Sequence, residues 1–543
     1  MPELNKLEDI RRDRDRYTNL ILSSNKDKRL IVAGPGTGKT FVFSEALKRR
    51  CSGRNGLVLS FIKNLVIDLK QKLQDSSDVY TLHGFCRYLS KKFNQLGLSE
   101  YDYYPQLLNL LAKDLNFSSG THYGVNELEE SLHNLSDLNL IKEVLKIGDY
   151  YCSVSHTDIV YRIVNALQEK PEVIPDYPLI VVDEYQDFSL LETKLVEILL
   201  TKSPILIAGD DDQALYKFKH ASADYLRELV RRPEFEKLKL PYCSRCTKAV
   251  VDAFGDVLNE AKKNNLLRER IGDDDKPFRY FPPDKEKDSA SYPRIIWAEC
   301  SVERNKVPYI SKYVFSEISK IPDADFNWAK ENNEPAVLVI GPTEFSKRVH
   351  NFLSDKGLRV RWGKSESLEE SVLEDGYRRI VKDPSSRLGW RIICDCNPPP
   401  NLDSLIKCVL RSGQNLSQIL PGEYVSSHLS KARHTIEVEE VTENEDEIMY
   451  APIVCTTLRG SKGLSASHVF IVGMNNNHFP RNHANINDDD VCQMLVGLTR
   501  SRKQCQLVSC RNFAGNWLEH SVFIDWINPE IVEKRTVDVK YFS

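Results

Sequence analysis

No apolar run in this chain of 543 residues approaches the roughly 20 consecutive apolar residues that a membrane-spanning helix needs. The opening Met1-Pro2-Glu3-Leu4-Asn5, followed by mixed charges, lacks the apolar core of a secretion signal. Basic charge is not in excess: 74 Lys and Arg stand against 78 Asp and Glu, for a net charge of −4. That balance disfavours a protein that coats nucleic acid with its whole surface, yet allows one confined basic groove. The 13 cysteines form no repeated framework, so reduced thiols in a cytoplasmic compartment are expected. Two close pairs, Cys243/Cys246 and Cys394/Cys396, lack the second CxxC or His pair of a zinc finger, which favours free thiols over a metal site. There is no long low-complexity segment, and no internal repeat beyond a duplicated α/β theme.

What is present describes a globular protein: 41% hydrophobic and 28% charged residues, with length for three or four units. Short apolar runs end in polar or glycine-containing turns at Leu30–Ala33, Leu57–Ser60, Leu179–Val182 and Ile205–Ala208. Runs apolar on both faces read as buried parallel strands covered by helices. A second set, Ala336–Ile340, Ile453–Thr456, Val469–Val472 and Gln506–Ser509, implies a second α/β core. A helix-patterned stretch from about Lys91 to Lys170 interrupts the first set. Trp362 to Met449 interrupts the second, with a break at Asn397-Pro398-Pro399-Pro400-Asn401 and an acidic run from Glu437 to Glu447. That acidic run reads as a solvated linker or edge strand.

Chemistry concentrates in three segments. Ala33-Gly34-Pro35-Gly36-Thr37-Gly38-Lys39-Thr40 follows a buried strand and precedes a helix, as a phosphate-binding loop requires. Its glycines let backbone N–H groups turn toward phosphate oxygens, Lys39 would neutralise the β/γ phosphates, and Thr40 would join a magnesium shell. Asp183-Glu184-Tyr185-Gln186-Asp187 ends the strand Leu179–Val182. Asp183 would hold Mg²⁺ and Glu184 would orient and deprotonate the attacking water, the alternative being a solvated turn. Gly209-Asp210-Asp211-Asp212-Gln213 follows the next strand as a sensor loop.

The ordered set resembles the UvrD/Rep branch of superfamily 1 helicases, whose second and third motifs read DExxD and GDxxQ. Ser60-Phe61-Ile62-Lys63-Asn64 is similar to motif Ia, Thr81-Leu82-His83-Gly84-Phe85 to motif Ib, and Leu240–Arg245 to motif IV. Thr457–Leu464 is similar to motif V and Val496–Arg502 to motif VI. The resemblance implies an α/β fold of two RecA-like cores with parallel sheets, each carrying a mainly helical insertion. Residues 1–88 and 173–255 would form the first core, with 89–172 as its insertion. Residues 256–365 and 449–543 would form the second, with 366–448 as a reduced insertion.

By the same resemblance Gln213 would sense the γ-phosphate, and Arg245 and Arg500 would be arginine fingers from the second core. Phe61 and Phe218 would stack on bases, an interaction of about 1–3 kcal/mol per base, with core packing as the alternative for each. His83 and Arg459 would contact the strand backbone, with a structural role as the alternative for His83. There are departures from the pattern. No adenine-reading glutamine is evident in Arg16–Leu20, and Ser244 stands where a stacking Tyr is usual, with Tyr242 close by as the base contact. Ser465 replaces a Glu, Arg459 a His, and Lys219 an Arg.

The implied function is ATP- and Mg²⁺-dependent 3′ to 5′ translocation on single-stranded DNA or a tailed duplex. A protein partner is implied too; a nuclease would be a separate subunit, since little chain follows Arg502. In size and layout the chain is similar to the helicase-like subunit of the Gabija anti-phage system. The competing expectation is a DNA- or nucleotide-sensing regulatory ATPase that switches a partner with little unwinding.

Overall fold

Successive side chains of the flat apolar runs enter different cores, which is why neither face of these strands can be polar. Leu30, Val32, Ile180, Val182, Ile205 and Ile207 pack on one face of the first sheet, while Ile31, Val181, Leu206 and Ala208 pack on the other. Each such buried aliphatic side chain contributes about 1.5–3 kcal/mol. The computed structural model of the chain describes residues 2–51, 54–60, 77–216, 219–302, 309–363, 372–439 and 450–543.

The first sheet holds β1 (Lys28–Val32), β2 (Gly56–Ser60), β3 (Ser77–Thr81), β4 (Ile180–Asp183), β5 (Ile205–Gly209) and β6 (Glu236–Lys239). They lie in the order β3-β2-β4-β5-β1-β6, all parallel. The second sheet holds β7 (Ile295–Cys300), β8 (Val337–Gly341), β9 (Val360–Trp362), β10 (Ile453–Thr457), β11 (Ala466–Val472), β12 (Ser501–Cys510) and β13 (Val532–Val537). Its order is β9-β10-β8-β11-β12-β7-β13, again all parallel. Leu338, Ile340, Val469 and Ile471 face one core of this sheet and Val337, Val339, Phe470 and Val472 the other. The interior strands coincide with the apolar runs except β7, which alternates between buried and half-buried positions and is not among those runs. The edge strands β3, β6 and β13 carry polar side chains such as Asp78, Lys237 and Lys534, as edge strands do, and so lack the apolar signature.

Between β3 and β4 the chain runs through helices Leu107–Ser119, Val125–Asn134, Leu138–Tyr150 and Asp158–Glu169. Between β9 and β10 it forms Val372–Lys382, Arg387–Cys396, Leu402–Ser412, Leu416–Ile419 and Gly422–Glu439. The prolines 398–400 separate the second and third of these, as residues without a donor N–H must. The acidic run departs from expectation: Glu437-Val438-Glu439 finishes a helix, and 440–449 lies outside the described residues.

The two insertions share one core, which no local pattern announced. Leu388 and Ile392 of the second pack among Leu107, Leu111, Leu140 and Val144 of the first. At the centre of this contact Arg391 Nε donates to Asp114 Oδ1 at 2.8 Å, and Tyr151 Oη donates to Asp114 Oδ2 at 2.6 Å. Both charged side chains are fully buried. At the rim Lys113 reaches Asp395 at 2.8 Å and Arg379 pairs with Asp102.

Removing one partner of a buried ion pair leaves the other charge stranded. Asp114→Ala should therefore destabilise the joined insertions by about 3–5 kcal/mol, whereas Asp114→Leu with Arg391→Met should cost much less. Urea unfolding and limited proteolysis across residues 100–170 would measure this. Equal stability of Asp114→Ala and the parent chain would show that the pair contributes nothing.

Candidate active site

The carboxyl ends of the central strands finish level, because Val32 lies opposite Gly209 and Ser60 opposite Asp183. Ligands bind at this edge of open α/β sheets. After β1 the chain turns through Gly34–Gly38 into the helix Lys39–Arg50, whose first-turn N–H groups have no partner within the helix. Gly36 has φ of +69°, and a Cβ there would lie 2.4 Å from Arg245 Cβ, so only glycine fits. Lys39 Nζ donates to the Ala33 carbonyl at 3.2 Å.

β4 delivers Asp183 and Glu184. Asp183 Oδ1 accepts the Glu184 N–H at 2.9 Å, and Glu184 takes the left-handed conformation at φ 54°. The turn ends at a reciprocal cap in which Ser189 and Glu192 each accept the other's N–H, starting the helix Leu190–Leu199. Burial and the neighbouring Glu184 push Asp183 up to about 7 against the pull of Lys39. Burial also opposes the Glu184 carboxylate, but Lys462 and Lys39 outweigh it and hold Glu184 below its usual value.

The opposite wall comes from the second sheet. Arg500 sits between the helix Asp488–Leu498 and β12, fully enclosed, with Nε on the Val496 carbonyl at 3.0 Å and Nη1 on Leu464 at 3.2 Å. Its Nη2 donates to Gln213 Oε1 at 3.1 Å, and Gln213 Nε2 donates to Asp210 Oδ2 at 2.7 Å. Lys462, after β10, donates to Asp187 Oδ2 at 2.5 Å and to the Gln213 carbonyl, and lies 3.9 Å from Glu184. The cleft so formed encloses about 290 Å³ and brings together Pro35–Thr40, Asp183, Glu184, Gln213, Arg245 and Arg500. Arg245 lines the cleft beside its neighbours Cys243 and Cys246, which pack in the second core. It rests on the phosphate loop through the Ser244 N–H to the Gly36 carbonyl at 3.0 Å, while Cys246 Sγ lies 3.7 Å from the Thr499 carbonyl. It therefore joins both walls.

Several side chains that the sequence did not single out line or brace this cleft. Glu334 accepts Arg502 Nε at 2.8 Å and Nη2 at 2.6 Å, and Ser465 Oγ donates to it at 3.1 Å. A carboxylate thus reaches Ser465 from 131 positions away in the chain, a distance at which no sequence spacing signals it. Gln186 ties Glu184 to the Asp210 N–H, which its Oε1 accepts at 2.9 Å.

Other expected site residues lie elsewhere. The Tyr242 hydroxyl donates to Asp13 at 2.7 Å and its ring packs edge-on to Phe281, outside the lining of the phosphate cleft. His83 stacks on His156 at 3.7 Å, does not line the cleft, and burial with that neighbour holds it well below its usual pKa. Arg459 is partly exposed and bound to Asp489 at 2.5 Å. Phe61 and Phe218 lie outside the described residues. Neither cysteine pair is joined by a disulfide.

A family model described as an AAA domain matches residues 19–219. Over 48% of its length the chain is 24% identical to the ATP-dependent DNA helicase PcrA of Staphylococcus aureus, covering 42% of that protein. It is 22% identical to DNA helicase II of Haemophilus influenzae, over 48% of this chain and 43% of the relative. The probable DNA helicase II homolog of Mycoplasma pneumoniae matches at 19% identity over 94% of this chain and 86% of its own length. The chain thus spans less than half the length of the first of these relatives that it matches.

Gly36→Ala should expel the 244–246 segment from the phosphate loop, since the left-handed backbone and the Arg245 contact both exclude a Cβ. Triphosphate affinity should fall about tenfold or more, a loss of about 1.4 kcal/mol or more. Calorimetric titration with a slowly hydrolysed triphosphate would read it; unchanged affinity would remove the phosphate loop from the site.

Proposed function

We propose, since the chain belongs to the UvrD/Rep-like branch of superfamily 1, that it is an ATP-dependent motor moving 3′ to 5′ along single-stranded DNA. The observation that carries this reading is the Arg500–Gln213 bond across the cleft, beside Glu184 and the phosphate loop. A hydrolase alone needs one wall; a motor needs hydrolysis to depend on how two walls meet.

The first wall binds the triphosphate: backbone N–H groups of the loop and Lys39 take its β and γ oxygens. Thr40 and Asp183 offer a hydroxyl and a carboxylate at the same edge, oxygen donors that fit a hard divalent cation and would hold Mg²⁺. That ion, when bound, supplies charge neutralisation on the phosphates. Glu184, kept ionised by Lys462 and Lys39, is the base that takes the proton of the attacking water. Arg500, with Arg245 beside the loop, stabilises charge on the departing phosphoryl oxygens. Release of phosphate removes the ligand that Arg500 and Lys39 share, and the walls then separate.

The DNA track, its polarity and a protein partner follow from the resemblance to the helicases. A partner would dock on the second half of the chain, where the insertion is reduced.

Lys39→Ala and Glu184→Gln should each lower kcat by about a hundredfold or more, but by different routes. Lys39→Ala weakens triphosphate binding; Glu184→Gln leaves it intact. Near-parental turnover in either variant would refute the assignment.

Single-stranded DNA should stimulate hydrolysis, with an affinity that drops steeply with salt because phosphate contacts dominate. A 3′-tailed duplex should be displaced in preference to a 5′-tailed one. Stimulation without strand displacement would favour a DNA-sensing regulatory ATPase instead, and no stimulation at all a nucleotide-sensing one. With no base-reading glutamine evident in Arg16–Leu20 and Ser244 where a stacking Tyr is usual, GTP should be hydrolysed at a sizeable fraction of the ATP rate. Strict ATP preference would mean that Tyr242 or another residue reads the base.

A further inference from the structure

Asp210, Asp211 and Asp212 are buried side by side, their nearest oxygens within 4.8 Å of one another. Three carboxylates in so small a space stay ionised only beside compensating cations. The fold supplies three of these from distant stretches. Arg227 Nε meets Asp211 Oδ2 at 3.2 Å, and Arg270 Nε meets Asp212 Oδ1 at 2.8 Å. Lys276 Nζ enters the middle of the group, 2.8 Å from Asp210 Oδ1 and 2.8 Å from Asp212 Oδ2, in contact with Asp211 as well. Lys276 is 1% exposed and is the one of these three cations bonded to Asp210.

Asp210 is the carboxylate that matters for the cleft, because its second oxygen accepts Gln213 Nε2. An amide presents an oxygen on one side and an NH₂ on the other, and Arg500 can bond only the oxygen. An ionised Asp210 accepts but cannot donate, so it selects the NH₂ side and leaves Oε1 for Arg500. The result is a continuous chain of ammonium, carboxylate, amide and guanidinium, drawn from three parts of the sequence.

On the reading that this cleft hydrolyses triphosphate, we propose that Lys276 is a positioning residue for the Gln213 amide, acting through Asp210. Without the ammonium, Asp210 keeps the Asp212 N–H and the attraction of Lys39, but none of the three cations remains bonded to it. Asp211 and Asp212 stand beside it with Arg227 and Arg270. Asp210 then takes a proton or turns away, and a protonated carboxyl no longer dictates which side of the amide it meets. Arg500 loses its oriented partner, although no group that touches the substrate has changed.

The test is a double-mutant cycle read by steady-state hydrolysis. Lys276→Met keeps the buried apolar stem and removes the charge. It should lower kcat about tenfold or more while nucleotide KM stays within about twofold. In a Gln213→Ala background Lys276→Met should have no further effect, because the group it positions is gone. Lys276→Arg should recover part of the loss. Should Lys276→Met fail to fold, Asp210→Asn, of the same shape, should repeat the pattern with Gln213→Ala. An unchanged kcat, or losses that multiply in the double variant, would overturn the proposal while leaving the hydrolase reading intact. A parent chain that hydrolyses no triphosphate would overturn both.

Discussion

Buried negative charge is the constraint around which this molecule is arranged. The first wall of the cleft collects Asp183, Glu184, Asp187 and the three aspartates after β5, all largely removed from water. Its own phosphate loop contributes Lys39; much of the remaining compensation arrives from elsewhere in the chain. Asp187 shows the balance most directly: burial raises its carboxyl to about 7 even with Lys462 bonded to it. Without that lysine the carboxylate would be far harder to ionise. Lys462, from beside the second sheet, thus answers an electrostatic need of the first wall independently of any ligand.

The same argument explains Arg500. It is buried beside Arg245, and burial with that like charge brings its guanidinium down to about 10. Three of its bonds go to carbonyl or amide oxygens, which orient the group without neutralising it. A cation so held, with no carboxylate bonded to it among the described residues, is ready for an anionic oxygen and gains more from one than a solvated arginine would.

Interior strands were legible because burial on both faces leaves a flat apolar run, as in Leu179–Val182. Edge strands such as Glu236–Lys239 were not, because half their surface is wet. Lys39, Asp183, Glu184 and Gln213 were legible for a different reason. Each follows the carboxyl end of a buried strand within a few residues, so local sequence fixes its place. Arg500 and Arg245 needed the ordered motif set, and structure then showed that Arg245 seats on the phosphate loop. Lys276, Glu334 and Lys462 act through partners 66, 168 and 275 positions away, separations that carry no periodic signal. The bond from the Tyr242 hydroxyl to Asp13 of the N-terminal helix was likewise not legible, since its partner lies far away in the chain.

The core shared by the two insertions has a mechanical consequence. Each insertion springs from a different sheet, and the two sheets already meet at the cleft. With the insertions joined around Arg391 and Asp114, the four bodies form a closed cycle, as in a four-bar linkage. In such a cycle no joint turns alone. A rotation of a few degrees where the phosphate sits must be matched at the insertions by slip, bend or rupture of their contact. The stiffness of a distant helical joint thereby sets how far the cleft can open.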